Sequence, residues 1–211
     1  PFRFGSFAPE RKGCKATWFV DGKTYFEHLA DSLEAAQHQI FITDWSLNPE
    51  VYLRRTQPVS SANRLDKILK RKAEEGVEIF VLLWFETASA TKGTVNSMHA
   101  ISKLRELHPT NIHALRHPGG RMKVMWTHHQ KTVIIDQRIA YVGGIDLCFG
   151  RYDHQHHPLV DDCELALEFP GKDYYNPRFD DFHDLHRPFQ DLLDRATQPR
   201  MPWHDIHSYI D

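Results

Sequence analysis

The sequence predicts an α/β fold: a mixed, largely parallel sheet flanked by helices on both faces. Three observations predict it. Along the first half of the chain, apolar runs of strand length alternate with stretches of helical periodicity. One run, VEIFVLLWF at 77–85, is apolar almost throughout, as a central strand covered on both sides would be. Two further β-rich segments, KTVIID and IAYVGG, are separated only by Gln137 and Arg138, which marks an antiparallel hairpin.

The elements follow in order. ATWFVDG reads as a short strand entering a turn. In KTYFEHLADSLEAAQHQ, Phe26, Leu29, Leu33 and Ala36 recur at helical spacing, so one face of an amphipathic helix packs on the sheet. IFITDW is a strand followed by the irregular SLNPE, and TQPVSSAN is a loop. RLDKILKRKAEEG is a helix closed by Gly76, the residue type that accepts the left-handed conformation past a helix end. A helix near 94–107 leads into NIHALRHP as a strand, and beyond the hairpin CELALEF alternates as a later strand. The remainder mixes turns with one helix near 183–196. With no internal repeat and no low-complexity segment, residues 1–211 read as a single domain.

Bulk properties restrict the function. A formal charge of -2 gives no overall attraction for nucleic acid. The basic stretch RLDKILKRK is most economically a solvated helix face, with a role on anionic lipid as the sharper alternative. No apolar run approaches the ~18 residues of a membrane span and no signal peptide opens the chain, so membrane contact is expected to be peripheral. Cys14, Cys148 and Cys163 are odd in number and lack CxxC spacing, which favours reduced thiols in the cytoplasm. Cys148 and Cys163 read as packed small hydrophobes. A start at Pro1 without methionine points to a piece of a longer chain.

The chemistry concentrates in WTHHQKTVIID at 126–136. Residues two apart on a strand share a face, so His129 and Lys131 point the same way, while His128 and Asp136 have the other parity. Asp136 therefore belongs at the hairpin turn, in an orienting role. An ammonium beside an imidazole depresses the imidazole's pKa and keeps it neutral and nucleophilic. The same ammonium neutralises phosphate oxygens, so the pair suits attack on a phosphodiester. By itself the pattern is weak, because His and Lys at strand ends are common and usually solvated.

Context adds to it. HQKTVIID fits the H-x-K-x-x-x-x-D signature of the phospholipase D superfamily at His129, Lys131 and Asp136. THHQKTVIIDQRIAYVGGIDLCFGRYD resembles the first such motif of the eukaryotic branch that hydrolyses phosphatidylcholine. RFGSFAP, IFITDWSLNPEVYLRR, RLDKILKRKAEEGVEIFVLLW, FPGKDYYNP and PRMPWHDIH resemble the surrounding segments in the same order, over nearly the whole chain. The likeness is to members whose PX and PH modules would precede Phe2. It implies a phosphohistidine mechanism, with His129 as nucleophile, Lys131 as phosphate ligand and Asp136 in support. Only a trapped phosphohistidine would separate nucleophile from general acid. The implied partners are a phospholipid at a membrane surface, the C-terminal catalytic half and anionic phosphoinositide activators. No nucleic acid, cofactor or metal is implied.

Two departures matter. Many superfamily members follow the motif with G-S-x-N, whereas this chain has Gly143-Gly144-Ile145-Asp146, the form of the eukaryotic lipase branch. By parity Gly144 and Asp146 share a face, where Gly144 permits close approach and Asp146 can orient a cation. There is also no second H-x-K: His183, His186, His204 and His207 all lack Lys two residues on. The chemistry needs a nucleophile and an acid. The chain thus resembles the N-terminal half of a catalytic unit, inactive alone. The alternatives are a homodimeric nuclease-like phosphodiesterase and a truncated non-catalytic regulator.

Four further residues are candidate substrate contacts. Asp44 and Trp45 end a sheet strand, where α/β ligands often bind. Trp203 and His204 sit in the Pro-framed PRMPWHD. DHQHHP at 153–158 has poor local ligand spacing and reads as a solvated loop rather than a metal site.

Overall fold

The computed structural model describes residues 3–5, 7–56, 59–86, 95–118, 127–162 and 167–211. Its elements are β1 (Ala16–Val20), α1 (Gly22–Ala35), β2 (Gln39–Asp44), α2 (Leu65–Glu74), β3 (Glu78–Leu83), α3 (Ser97–Leu107), β4 (Ile112–Arg116), β5 (Thr132–Ile135), β6 (Ile139–Gly143) and β7 (Ile206–Ile210). Among the described residues the strands form one seven-stranded mixed sheet in the order β1-β7-β6-β5-β2-β3-β4.

Helix periodicity lands where the apolar spacing puts it. On α1, Tyr25, Phe26, Leu29, Ala30 and Leu33 are buried, and on α2, Leu65, Ile68, Leu69 and Ala73. Gly76 follows α2 at φ 95°, a conformation that costs a residue without Cβ least.

The sheet's register builds one continuous buried face. Ile40 pairs with Ile79 and Ile135, Ile42 with Val81 and Val133, Val133 with Tyr141, and Phe19 with His207. These residues share a core with α1, α2 and α3. Asp44 belongs to the same face by parity, so a carboxylate is carried into the interior at the end of β2.

The structure differs from the expectation in five respects. Among the described residues the parallel part is confined to β2-β3-β4, and every other strand pairing is antiparallel. The crossover through α1 does not bring β1 beside β2, because β7, β6 and β5 occupy the space between them. The helices form one layer, α1 on α2 and α2 on α3, so among the described residues they cover one face rather than both. The other face exposes Trp18, Leu115, Val142 and Ile206. Residues 183–196 form successive turns, not a helix. Pro188 supplies no N–H, Asp184 takes φ 45°, and the local bonds are Arg187 N to Asp184 O and Gln190 N to Arg187 O.

β7 is the fifth difference. IHSYI follows a Pro-framed turn and is too polar to stand out, yet it is the strand that joins β1 to β6. Of the expected strand CELALEF, 163–166 lie outside the described residues and 167–169 are not strand.

Candidate active site

The end of β2 and the start of β5 meet where Thr43 pairs with Thr132. This juxtaposition sets Asp44 and Lys131 beside one another, and the chain leaving β6 brings Asp146 and Arg151 onto them. Lys131 Nζ lies 2.9 Å from Asp146 Oδ1, with both side chains buried. Arg151 Nε donates to Asp146 Oδ2 at 3.2 Å, and the Ser46 N–H to Oδ1 at 3.2 Å. Asp44 accepts from the N–H groups of Trp45 (2.9 Å) and Leu147 (2.8 Å).

Two carboxylates and two cations in one buried cluster do not all stay charged. Burial, the charge of Asp146 and a hydrogen bond to Asp146 push Asp44 well above the usual carboxylate range. Asp146 stays below that range despite its burial, because Arg151, a hydrogen bond with Asp44 and Lys131 all favour its anion. Of the two carboxyls, Asp44 is therefore the one biased toward its protonated form. With Asp44 protonated, two cations face one anion, leaving one net positive charge for an anionic ligand.

His129 stands at the rim. It is exposed, its ring centroid is 5.4 Å from that of Trp45, and Lys131 Nζ lies 5.5 Å from the same indole. Trp45 stacks in turn on Trp84 at 5.7 Å. Partial desolvation and then the Lys131 charge lower the His129 pKa, so the imidazole is neutral near pH 7. The structure thus brings together His129, Lys131, Trp45, Asp44 and Asp146. It presents an unprotonated ring nitrogen next to a fixed positive centre, which is the arrangement needed to attack phosphorus in an anionic diester.

Asp136 is not in this cluster. It follows the far end of β5, and a strand rising ~3.3 Å per residue carries it ~16 Å from Lys131. Its carboxylate accepts the N–H groups of Gln37 (2.9 Å), His38 (2.7 Å) and Gln39 (2.9 Å), clamping the entry to β2 onto the hairpin turn. Desolvation opposes these three bonds, but they win and hold its pKa below the ordinary value.

Gly144 serves packing. A Cβ there would overlap the carboxylate of Asp205, and one at Gly143 would lie 2.5 Å from the Cα of His207. Trp203 is near the site through Arg151, whose guanidinium carbon lies 3.6 Å from its ring centroid. His204 turns away: its Nδ1 is 2.7 Å from Asp21 Oδ1 and its side chain is 69% exposed.

Sequence reasoning missed Arg151, Tyr25 and His207. His207 is fully buried and stacks on Tyr25 at 3.9 Å, with Nδ1 facing the Ile145 N–H at 3.4 Å and Nε2 without a hydrogen bond to any described residue. Burial, and to a lesser degree Lys131, drive its pKa to about 4 against the pull of Asp146. The ring is thus close enough to feel the cluster. Only the position of β7 reveals this. For Arg151, the cation following Gly150 (φ 74°) was a visible but nonspecific signal.

Comparison with known proteins fits this geometry. The family model for phospholipase D matches residues 32–211. Phospholipase D A of Dictyostelium discoideum is 49% identical over 204 residues, which are 96% of this chain and 16% of that protein. Phospholipase D1 of Saccharomyces cerevisiae is 45% identical over 210 residues, covering 98% of this chain and 12% of that protein. Bovine phospholipase D2 is 43% identical over 229 residues, covering 97% of this chain and 24% of that protein. The chain therefore spans a quarter or less of these relatives. Among solved structures, NucT from Helicobacter pylori superposes with a TM-score of 0.51 at 13% identity, over 94% of this chain and 86% of that one. Phosphatidylserine synthase of Haemophilus influenzae gives 0.51 at 11% identity, over 96% of this chain and 36% of that one. At these identities the likeness is one of fold.

Proposed function

The chain belongs to the phospholipase D family, and from that premise we propose that it is the N-terminal half of a phosphatidylcholine-hydrolysing phospholipase D. The observation that carries this reading is the Lys131–Asp146–Arg151 cluster, net positive and buried, beside the exposed and neutral His129.

In the first step a ring nitrogen of His129 donates its lone pair to phosphorus, and the bond from phosphorus to the choline oxygen breaks. Lys131 balances the charge on the non-bridging oxygens. The leaving oxygen takes its proton from a second histidine, supplied by the other catalytic half, since HQK is the only H-x-K in this sequence. That second histidine then removes a proton from water or a primary alcohol. Its oxygen attacks phosphorus, the phosphorus–nitrogen bond breaks, and phosphatidate or a phosphatidyl alcohol leaves with His129 regenerated. Asp136 supports the turn that fixes β5 and touches no substrate.

The enzyme would work from the cytosol at a membrane surface, and among the described residues no helix is long and apolar enough to cross one. Anionic phosphoinositides remain the expected activators.

The test is co-expression of residues 1–211 with a segment carrying the second motif, followed by assays of choline release and of transphosphatidylation to butanol. Both activities are expected, with His129→Ala abolishing them and an acid-labile phosphohistidine trapped at His129 in the unmodified chain. Transphosphatidylation that survives His129→Ala refutes the nucleophile assignment. Phosphodiesterase activity from a dimer of this chain alone would favour the nuclease-like reading instead.

A further inference from the structure

Outside the candidate active site, three segments converge on a second set of metal-ligand side chains. We propose that Asp21, His157 and His204 form a binding site for a divalent transition cation of the zinc class. Asp21 lies between β1 and α1, His157 in the chain after β6, and His204 just before β7. Their candidate ligand atoms all lie within 4.8 Å of one another. His204 Nδ1 is 2.7 Å from Asp21 Oδ1, and His157 Nε2 is 3.4 Å from Asp21 Oδ2. Ligand bonds of ~2.0–2.2 Å in a tetrahedral shell place donor atoms roughly 3.3 Å apart, so small side-chain shifts complete the geometry. The donor set is two imidazoles and one carboxylate, with the exposed side of His204 leaving the fourth position to water.

The surroundings of His157 point the same way. Its Nε2 faces Asp21 while its Nδ1 is buried without a hydrogen bond to any described residue, 3.5 Å from Oδ1 of Asp153. A carboxylate behind the far nitrogen of an imidazole is the arrangement that orients metal-binding histidines. Asp153 is fully buried and held by Arg200 (2.8 Å), the Trp203 N–H (2.7 Å) and the His154 N–H (2.8 Å), so it is a fixed support. Asp21 is itself buried and faces both imidazoles.

A bound cation would cross-link three segments. His204 adjoins Trp203, whose ring carries Arg151, the partner of Asp146. The site is thus a clip on the scaffold of the phosphate-binding cluster, not a catalytic centre.

The test uses untagged, chelator-treated protein titrated with Co(II) and, separately, dialysed against Zn(II). One equivalent of zinc retained, and visible ligand-field bands of a four-coordinate Co(II) site, are expected. His157→Gln and His204→Gln should each lose the bands while far-UV circular dichroism stays unchanged, and His156→Gln should keep them. Because the His204 side chain is mostly exposed, its variant isolates ligation from folding. Absent bands in the unmodified protein, or bands that survive in either the His157 or the His204 variant, overturn the proposal.

Discussion

Replacing Asp146 with Asn removes the anion that two buried cations share. In the native chain Asp146 lies 2.9 Å from Lys131 Nζ and 3.2 Å from Arg151 Nε, and its side chain is 2% exposed. Deleting one partner of such a cluster leaves buried charge uncompensated, at a cost of about 3–5 kcal/mol. Asp44 softens the loss. Burial is the largest cause of its raised pKa and the charge of Asp146 the next, so Asp146→Asn removes part of the bias against its anion and lets it compensate Lys131. The single variant should therefore fall near the lower bound, about 3 kcal/mol, and Asp44→Asn/Asp146→Asn near the upper. Urea unfolding at pH 7 measures this as a lowered midpoint at unchanged slope. For a chain of this size, 3 kcal/mol corresponds to a fall in melting temperature of about 6–12 °C. A loss under about 1 kcal/mol, or a double variant no less stable than the single one, refutes the proton assignment.

Three more outcomes follow from the geometry. His207 is buried neutral with a pKa near 4. As pH falls below the unfolded value of ~6.5, the unfolded chain gains a proton that the folded chain refuses, and about 3 kcal/mol of stability is lost by pH 4. Urea midpoints in that window should flatten in His207→Phe, and an unchanged slope there would contradict the assignment. Asp136→Ala strands the N–H groups of Gln37, His38 and Gln39 at a partly solvated turn, with an expected loss of about 1–2 kcal/mol. Its depressed pKa makes the native contribution present above the unfolded carboxylate value and lost as pH falls through the folded one, which acid unfolding of the two proteins would show. Gly143→Ala sets a methyl 2.5 Å from the backbone of His207, so β6 and β7 must part, at a cost of about 1–3 kcal/mol. At Gly144 the obstacle is the side chain of Asp205, which rotates away more cheaply, and thermal denaturation should rank the two variants in that order.

Much of this was legible in the chain itself. The period of α1 and α2 and the hairpin of β5 and β6 are local, and local spacing encodes them. His129 and Lys131 precede the first residue of β5, so they meet beside Trp45 through the chain entering the strand and not through strand parity. The sequence also carried the family signature at 129–136, which names residue types without showing which of them touch. Tertiary structure alone decided three things. It placed IHSYI as β7, because that segment becomes a strand only where β1 and β6 supply partners on both edges. It decided which carboxylate keeps the proton, because the answer depends on Lys131, Arg151, Asp44 and Asp146 meeting from distant segments in one buried volume. And it drew His157 and His204, which local spacing left as a solvated loop and a possible substrate contact, onto Asp21. Charge and ligation depend on distance through space, which spacing along a chain does not specify.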